Sequence, residues 1–279
     1  VACRSLLRLL PSRRARIAAG RIGFQGRDLV TVDDETMRRV RGREISMIFQ
    51  NPSSHLDPVA TIGNLVAEPL VWHYDESRRE ARHHAAELLA QVGMPDPEAQ
   101  LERYPHQFSG GMKQRAMIAA ALACRPKVLL ADEPTTALDV TVQAQILRLL
   151  LDLRDRMGLA IVLVTHDIGV VAETCDSVVV LYGGRVMETG SRRQVLGAPR
   201  HPYTQALLQS QPAGAVPGTE LPSISGHPPA LDDLPAGCRF HPRCRYASER
   251  CRRDPVELEH VRDGHATACV RWRDVMGAT

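Results

Sequence analysis

Apolar positions along the chain follow two kinds of pattern. Residues 128–131, 160–164 and 177–181 form short runs with almost no polar interruption. Such runs suit strands buried on both faces, as in a parallel α/β sheet. Residues 76–92 repeat at helical spacing instead. Ala81, Ala85, Leu88, Leu89 and Val92 share one side of this helix, and Arg78, Arg79, Arg82 and His83 form a solvated face opposite. Residues 141–156 predict a second helix, with Val142, Ile146, Leu149, Leu150 and Leu153 on one face and Gly158 as its stop. Residues 1–10 predict an amphipathic helix with a leucine stripe, closed by Pro11. Further strands are predicted at 20–29 and 44–50, and the chain from Thr61 to about Gln107 reads as helical. The order strand, helix, strand, helix, strand predicts crossover helices on a parallel sheet.

The polar residues that end these runs are where chemistry collects. The run at 128–131 stops at Asp132 and Glu133, and Pro134 then rules out further ladder pairing. Two acids at the carboxyl end of a buried strand suit one group holding a metal and another handling a water; a solvated acidic turn is the alternative reading. The run at 160–164 ends in Thr165, His166 and Asp167, which puts a histidine at a second strand end. Ser109 is a natural N-cap, and Gly110 and Gly111 leave the first N–H groups of the following helix unobstructed. That is a good anion site, or else a plain capped turn.

Composition narrows the class. With 44% hydrophobic and 24% charged residues, the 279-residue chain has the make-up of a globular protein. Its longest apolar stretch, 116–124, is about half of the ~20 residues needed to cross a bilayer. The leucines of 1–10 precede no small-residue cleavage pattern, so they do not read as a secretory signal. A net charge of +3 is too small to argue for nucleic acid. With no export signal, the seven cysteines point to a reduced, cytoplasmic setting.

Taken in order, these stretches resemble the ATP-binding subunit of an ABC transporter, from the branch that drives peptide (oligopeptide, dipeptide or nickel) importers. Phe49-Gln50 within Met-Ile-Phe-Gln-Asn-Pro resembles the Q-loop, and Phe108 to Met112 the family signature, with Met112 where glutamine is usual. Residues 128–133 resemble the Walker B strand, Ala137-Leu138-Asp139 the D-loop, and His166 the switch histidine. His201-Pro202-Tyr203 and its sequel resemble a segment typical of the peptide and nickel branch. The resemblance implies a P-loop NTPase-like α/β core with a mainly parallel sheet, an inserted helical subdomain at about 61–125 and a Cys-rich C-terminal extension. The expected layout is an ATPase domain over 1–210, a Pro-rich linker over 211–236 and the extension over 237–279.

The same resemblance implies roles. Asp132 would hold Mg²⁺, with Gln50 as a further contact to the metal or the attacking water. Glu133 would orient and polarise that water, and His166 would bond the γ-phosphate of ATP. Ser109, Gly110 and Gly111 would meet an ATP held by the opposite subunit, and Asp139 would lie at the dimer seam. The expected partners are a second ATPase subunit (the same chain or another), two transmembrane permease subunits and, indirectly, an extracytoplasmic solute-binding protein. The expected place is the cytoplasmic face of the cell membrane, bound peripherally. The other readings are a non-catalytic subunit that completes a partner's site, or a soluble ABC protein acting on nucleic acid or ribosomes.

One departure from the family is marked. The phosphate loop G-x-x-x-x-G-K-[ST] occurs nowhere in the sequence: Lys113 lies in the signature helix and Lys127 precedes the Walker B strand. In the family the helix after that loop looks like residues 1–10. The expectation is a sequence that begins just past the loop, either by truncation or as a short subunit, and that hydrolyses ATP poorly alone. Cys238, Cys244, Cys251 and Cys269 follow the linker without close Cys-x-x-Cys pairs. Four thiolates can hold an iron–sulfur cluster or tetrahedral zinc, the latter with His241 or His265 as a further candidate ligand, or can stay unligated. A [4Fe-4S] cluster in a similar tail of some peptide-importer ATPases makes the cluster the implied choice.

Overall fold

The structure is a computed structural model that describes residues 1–10, 12, 15–211, 222–230, 232–253 and 256–275. Two compact units divide the chain, residues 1–166 and 167–279.

In the first unit α1 (Ala2–Leu6) precedes a small hairpin of β1 (Gly23–Phe24) and β2 (Arg27–Asp28), then α2 (Asp34–Val40) and β3 (Ile45–Ile48). The short α3 (Pro52–His55) leads into α4 (Ile62–Tyr74), α5 (Arg78–Gln91), α6 (Pro97–Gln100) and α7 (Gly110–Leu122). β4 (Val128–Asp132), α8 (Val140–Met157) and β5 (Ala160–Val164) complete it. The strands β3, β4 and β5 form a parallel sheet in that order, with Asp132 in register with Val164.

The unbroken apolar run of β4 follows from its place between two layers. Leu129 and Ala131 are fully buried in the core that α4, α5, α7 and α8 build, while Leu130 points to the opposite core beneath Cys3, Leu7, Met37 and Val40. Side chains alternate across a strand, so a central strand with helices on both faces needs apolar residues at every position. β5 is the last strand of this sheet and is only half covered, with Val162 43% exposed. Capping fixes the helix ends: Ser77 and Glu80 form a capping box at α5, and Gly158 closes α8 at φ +64°. The solvated face expected on α5 is exposed at Arg78, Arg79 and His83, and Arg82 pairs with Glu102.

Two expectations for this unit change. The strand read over 20–29 is the β1–β2 hairpin, because Gln25 and Gly26 both take positive φ (+47° and +78°), the geometry of a two-residue turn that matches strand twist. The helix read over 1–10 stops at Leu6; Arg8 enters the left-handed region at φ +53°, and Leu9 is exposed. Pro11, expected to close it, lies outside the described residues.

The second unit runs through α9 (Ile168–Thr174), β6 (Ser177–Tyr182), β7 (Arg185–Ser191), α10 (Arg192–Gly197) and α11 (Pro202–Gln209). α12 (Arg250–Arg253), β8 (Glu259–Arg262), β9 (His265–Thr267) and α13 (Trp272–Val275) follow. Its sheet is antiparallel, in the order β6-β7-β9-β8. The run at 177–181, expected as a buried parallel strand, instead turns through Gly183-Gly184 and pairs antiparallel with β7, leaving Val179 and Leu181 more than half exposed. The cysteine-bearing tail is woven into this sheet, since β9 pairs with β7 at Glu188–Thr267 and Thr189–Ala266. A buried hydrogen bond fastens the weave: His265 Nε2 lies 2.7 Å from Glu188 Oε1, and both side chains are fully buried. Of the expected linker, 212–221 and 231 lie outside the described residues. Residues 224 and 225 of its remainder are held by the Arg243 guanidinium, which donates to the carbonyls of Ile224 (2.9 Å) and Ser225 (2.8 Å). Among the described residues no helix is long and apolar enough to cross a membrane.

Candidate functional site

The carboxyl end of the parallel sheet gathers three of the sequence-predicted residues. Gln50 follows β3, Glu133 follows β4 and His166 follows β5. Because the three strands are adjacent and parallel, residues just past their ends converge. Gln50 Nε2 donates to Glu133 Oε2 at 2.7 Å, and His166 Nδ1 lies 3.2 Å from Glu133 Oε1. A third donor was not anticipated: Thr136 Oγ1 gives a hydrogen bond to Glu133 Oε2 at 2.8 Å. Its signal was available, since a threonine three residues after a turn glutamate is well placed for a local side-chain bond.

These donors set the charge of the site. Glu133 is 24% exposed, and its carboxyl lies below the usual glutamate range, first through the Thr136 hydrogen bond and then through His166 and Gln50, against the opposing effect of burial. Hydrogen bonds to a charged acceptor contribute roughly 1.5–3 kcal/mol each. The His166 ring is 79% exposed, so the shorter bonds from Gln50 and Thr136 dominate the placement of the carboxylate. Glu133 also carries backbone strain, at φ +48°, and is anchored there by its N–H donating to the Val164 carbonyl at 2.9 Å.

Asp132 ends β4 beside the Cys3 thiol, which burial and then the Asp132 charge push up to about 11. Asp132 and Gln50 offer oxygen donors of the kind a hard cation takes, and Mg²⁺ completes its octahedron largely with water and phosphate. That donor set fits Mg²⁺. Asp139 accepts from the Val142 N–H at 2.9 Å and so caps α8.

The signature residues are held elsewhere in the same unit. Ser109 caps α7 by accepting from the Met112 N–H at 3.3 Å. Gly110 and Gly111 let α7 approach the start of α8: a Cβ on Gly110 would come 3.3 Å from Leu138, and one on Gly111 only 2.8 Å from Val142 Cγ1. The structure thus brings Gln50, Glu133 and His166 to one point and packs Gly110 and Gly111 against the segment that carries Asp139. Two links beyond the predicted set join these parts. His55 stacks on Phe49 with centroids 4.3 Å apart, and Lys113 Nζ donates to Ser53 Oγ at 3.3 Å.

In the second unit Cys238, Cys244, Cys251 and Cys269 line one small cavity with His201 and His241. Burial pushes the Cys269 thiol up to about 12 and raises Cys238 and Cys244. The four thiols face one space, yet among the described residues no three His, Cys, Asp or Glu groups are placed to hold a metal ion. His265, a candidate zinc partner, is committed to Glu188 instead, and His241 Nδ1 is bonded to the Cys238 carbonyl at 3.0 Å. The His201 ring is buried and pushed down to about 4, and its Nδ1 accepts from the Tyr203 N–H at 3.0 Å to start α11.

A carboxylate tied to two parallel-strand neighbours, with a Ser-Gly-Gly helix entry packed against the start of α8, has the arrangement of an ATP-binding cassette. A family model described as "ABC transporter" matches residues 3–136, and one described as "Oligopeptide/dipeptide transporter, C-terminal region" matches residues 187–251. The chain is 50% identical to the probable peptide ABC transporter ATP-binding protein y4tR of Sinorhizobium fredii, over 98% of this chain and 82% of that protein. It is 47% identical to the dipeptide transport ATP-binding protein DppD of Escherichia coli, over 91% of this chain and 78% of that one. Among solved structures it is similar to the dimeric cassette MJ0796 bound to ADP and Pi, with TM-score 0.57 and 31% identity over 64% of this chain and 76% of that one. It is also similar to cbiO1 of Clostridium perfringens, part of the cbiONQ ABC transporter complex, with TM-score 0.58 and 28% identity over 71% and 74% of the two chains. The chain therefore belongs to the ATP-binding subunits of ABC transporters, in the oligopeptide/dipeptide group. Membership implies ATP with Mg²⁺ as ligands, ATP hydrolysis as the reaction, and an ATPase dimer working with permease subunits.

Proposed function

We propose that this chain energises the import of di- or oligopeptides, working at the cytoplasmic face of the membrane beneath two permease subunits that receive peptide from an extracytoplasmic solute-binding protein. The convergence of Gln50 and His166 on the Glu133 carboxylate carries the reading. Glu133, kept ionised by its donors, orients and polarises the attacking water. His166 reaches from Glu133 towards the γ-phosphate. Asp132 and Gln50 would hold Mg²⁺, which would supply positive charge against the developing phosphate charge. Ser109, Gly110 and Gly111 are offered to the ATP of the opposite subunit, and Asp139 borders the seam. The sequence contains no phosphate loop, so the cradle for the phosphates beside Glu133 is not among these residues.

The test is ATP-driven uptake of labelled dipeptides into vesicles that carry the assembled transporter. Uptake that is lost with Glu133→Gln supports the proposal. No uptake, together with co-purification with ribosomes or nucleic acid, would favour a soluble role instead.

For the tail, the finer reading is an iron–sulfur cluster or structural zinc on Cys238, Cys244, Cys251 and Cys269. Its support is the shared cavity and the soft thiolate donors; as placed, the thiols do not form a ligand set, and no step of hydrolysis is routed through them. A brown anaerobic preparation with broad visible absorption would support the cluster. A colourless protein with stoichiometric zinc would support zinc, and a colourless metal-free one leaves the thiols unligated.

A further inference from the structure

We propose that Thr136 is a positioning residue for hydrolysis: its hydroxyl ties one carboxylate oxygen of Glu133 and leaves the other to face the water. The proposal rests on Glu133 being the water-orienting group. Thr136 stands three residues beyond Glu133 in the turn that follows β4, and its N–H donates to the Glu133 carbonyl at 3.2 Å. From the same turn its hydroxyl reaches Glu133 Oε2 at 2.8 Å. Gln50 Nε2 donates to that same oxygen at 2.7 Å, whereas Oε1 meets His166 Nδ1 at the longer distance of 3.2 Å. The two oxygens are therefore unequal, with Oε2 bound twice.

Rotation of a carboxylate about its last torsion is broad and nearly two-fold, so the bond to Cδ selects neither oxygen by itself. A donor fixed in the local backbone makes that selection. Gln50 is a poor permanent donor for this purpose. It comes from a different strand, and the role proposed for it on the metal or the water would draw its side chain away from Glu133. Thr136 moves with Glu133, because both belong to one turn closed by their own backbone bond. Its branching at Cβ restricts the hydroxyl to few rotamers. When Gln50 leaves, Thr136 keeps Oε2 occupied, so Oε1 remains the acceptor turned to the water. Thr136 is exposed, and exchanging its hydroxyl for a methyl disturbs no core.

The experiment compares Thr136→Val, which keeps the shape and loses the donor, with Thr136→Ser, which keeps the donor. The first readout needs no turnover: carbon-13 relaxation of the Glu133 side chain in the ligand-free chain, assigned with Glu133→Gln. The expected result is a mobile carboxylate in Thr136→Val and an ordered one in Thr136→Ser. The second is steady-state ATPase of the assembled transporter with a phosphate-loop segment joined ahead of these residues, where Thr136→Val lowers kcat about ten-fold with KM for ATP unchanged and Thr136→Ser stays near wild type. Equal order in Thr136→Val and wild type, or equal mobility in the valine and serine variants, overturns the proposal alone while Glu133→Gln stays inactive. Full turnover in Glu133→Gln overturns the assignment of Glu133 and the proposal with it.

Discussion

Gln50 and Glu133 are 83 positions apart in the chain and meet at 2.7 Å, one at the end of β3 and the other at the end of β4. The bond ties the position of the Gln50 side chain to the state of the Glu133 carboxylate. Gln50 is also the last of the three donors that hold Glu133 below the usual carboxylate range. Replacing it by alanine removes a bond that favours the charged form, so the Glu133 pKa rises. The acidic limb of the pH–rate curve, where Glu133 becomes protonated, then moves to higher pH. A pH profile of kcat for the assembled transporter checks this; a limb that stays in place contradicts it.

Gly111 is held close to Val142, with room for no Cβ at 2.8 Å from Cγ1. Gly111→Ala gains up to about 1 kcal/mol of helix propensity and loses about 1–3 kcal/mol to overpacking. A net loss is expected in denaturant unfolding. Adding Val142→Ala to it makes room, and the pair should be less destabilised than the sum of the single changes. Strict additivity would count against the packing account.

His201 gives the second unit an acid-labile element. Its folded-state pKa of about 4 lies below the ordinary 6.5, so on acidification the unfolded chain takes up the proton first. Stability is fully present above pH 6.5 and is lost as pH falls from there towards 4, by roughly 3 kcal/mol at the acid end. His201→Asn retains a side chain able to cap α11 but does not titrate. Its stability should fall less steeply over that window, as measured by urea unfolding at stepped pH. Parallel slopes for the two proteins would exclude His201 as the source.

Thiol reactivity follows burial. Cys3 and Cys124 are pushed up to about 11 and Cys269 to about 12, all mainly by desolvation, whereas Cys175 is only half-buried. Iodoacetamide at about pH 8 should label Cys175 first and reach the buried three only on unfolding, read by peptide mass spectrometry. Labelling of Cys269 as fast as Cys175 would refute the protection of Cys269 by burial.

The elements most legible in the sequence were those with both a period and a boundary. β4 had an unbroken apolar run ended by acids, and α8 had an apolar face between Asp139 and Gly158. The site was legible through the order of motifs, because strand ends that are far apart in sequence meet only once the sheet is assumed. What stayed hidden depended on pairing and on single backbone angles. Residues 177–182 read alike for a buried parallel strand and a half-exposed antiparallel one, and the two-glycine turn after them decides the outcome. The end of α1 turns on the positive φ of Arg8, which no pattern marks. The cysteine spacing does not reveal that β9 joins β7 or that His265 is spent on Glu188.

The central claim is that these residues form the hydrolytic half of an ATPase site whose phosphate cradle they do not contain. ATP turnover by the purified 279-residue chain tests it most directly. Negligible hydrolysis is expected; a turnover near ~1 s⁻¹, within the ordinary enzyme range and lost on Glu133→Gln, would show that these residues suffice for a complete site.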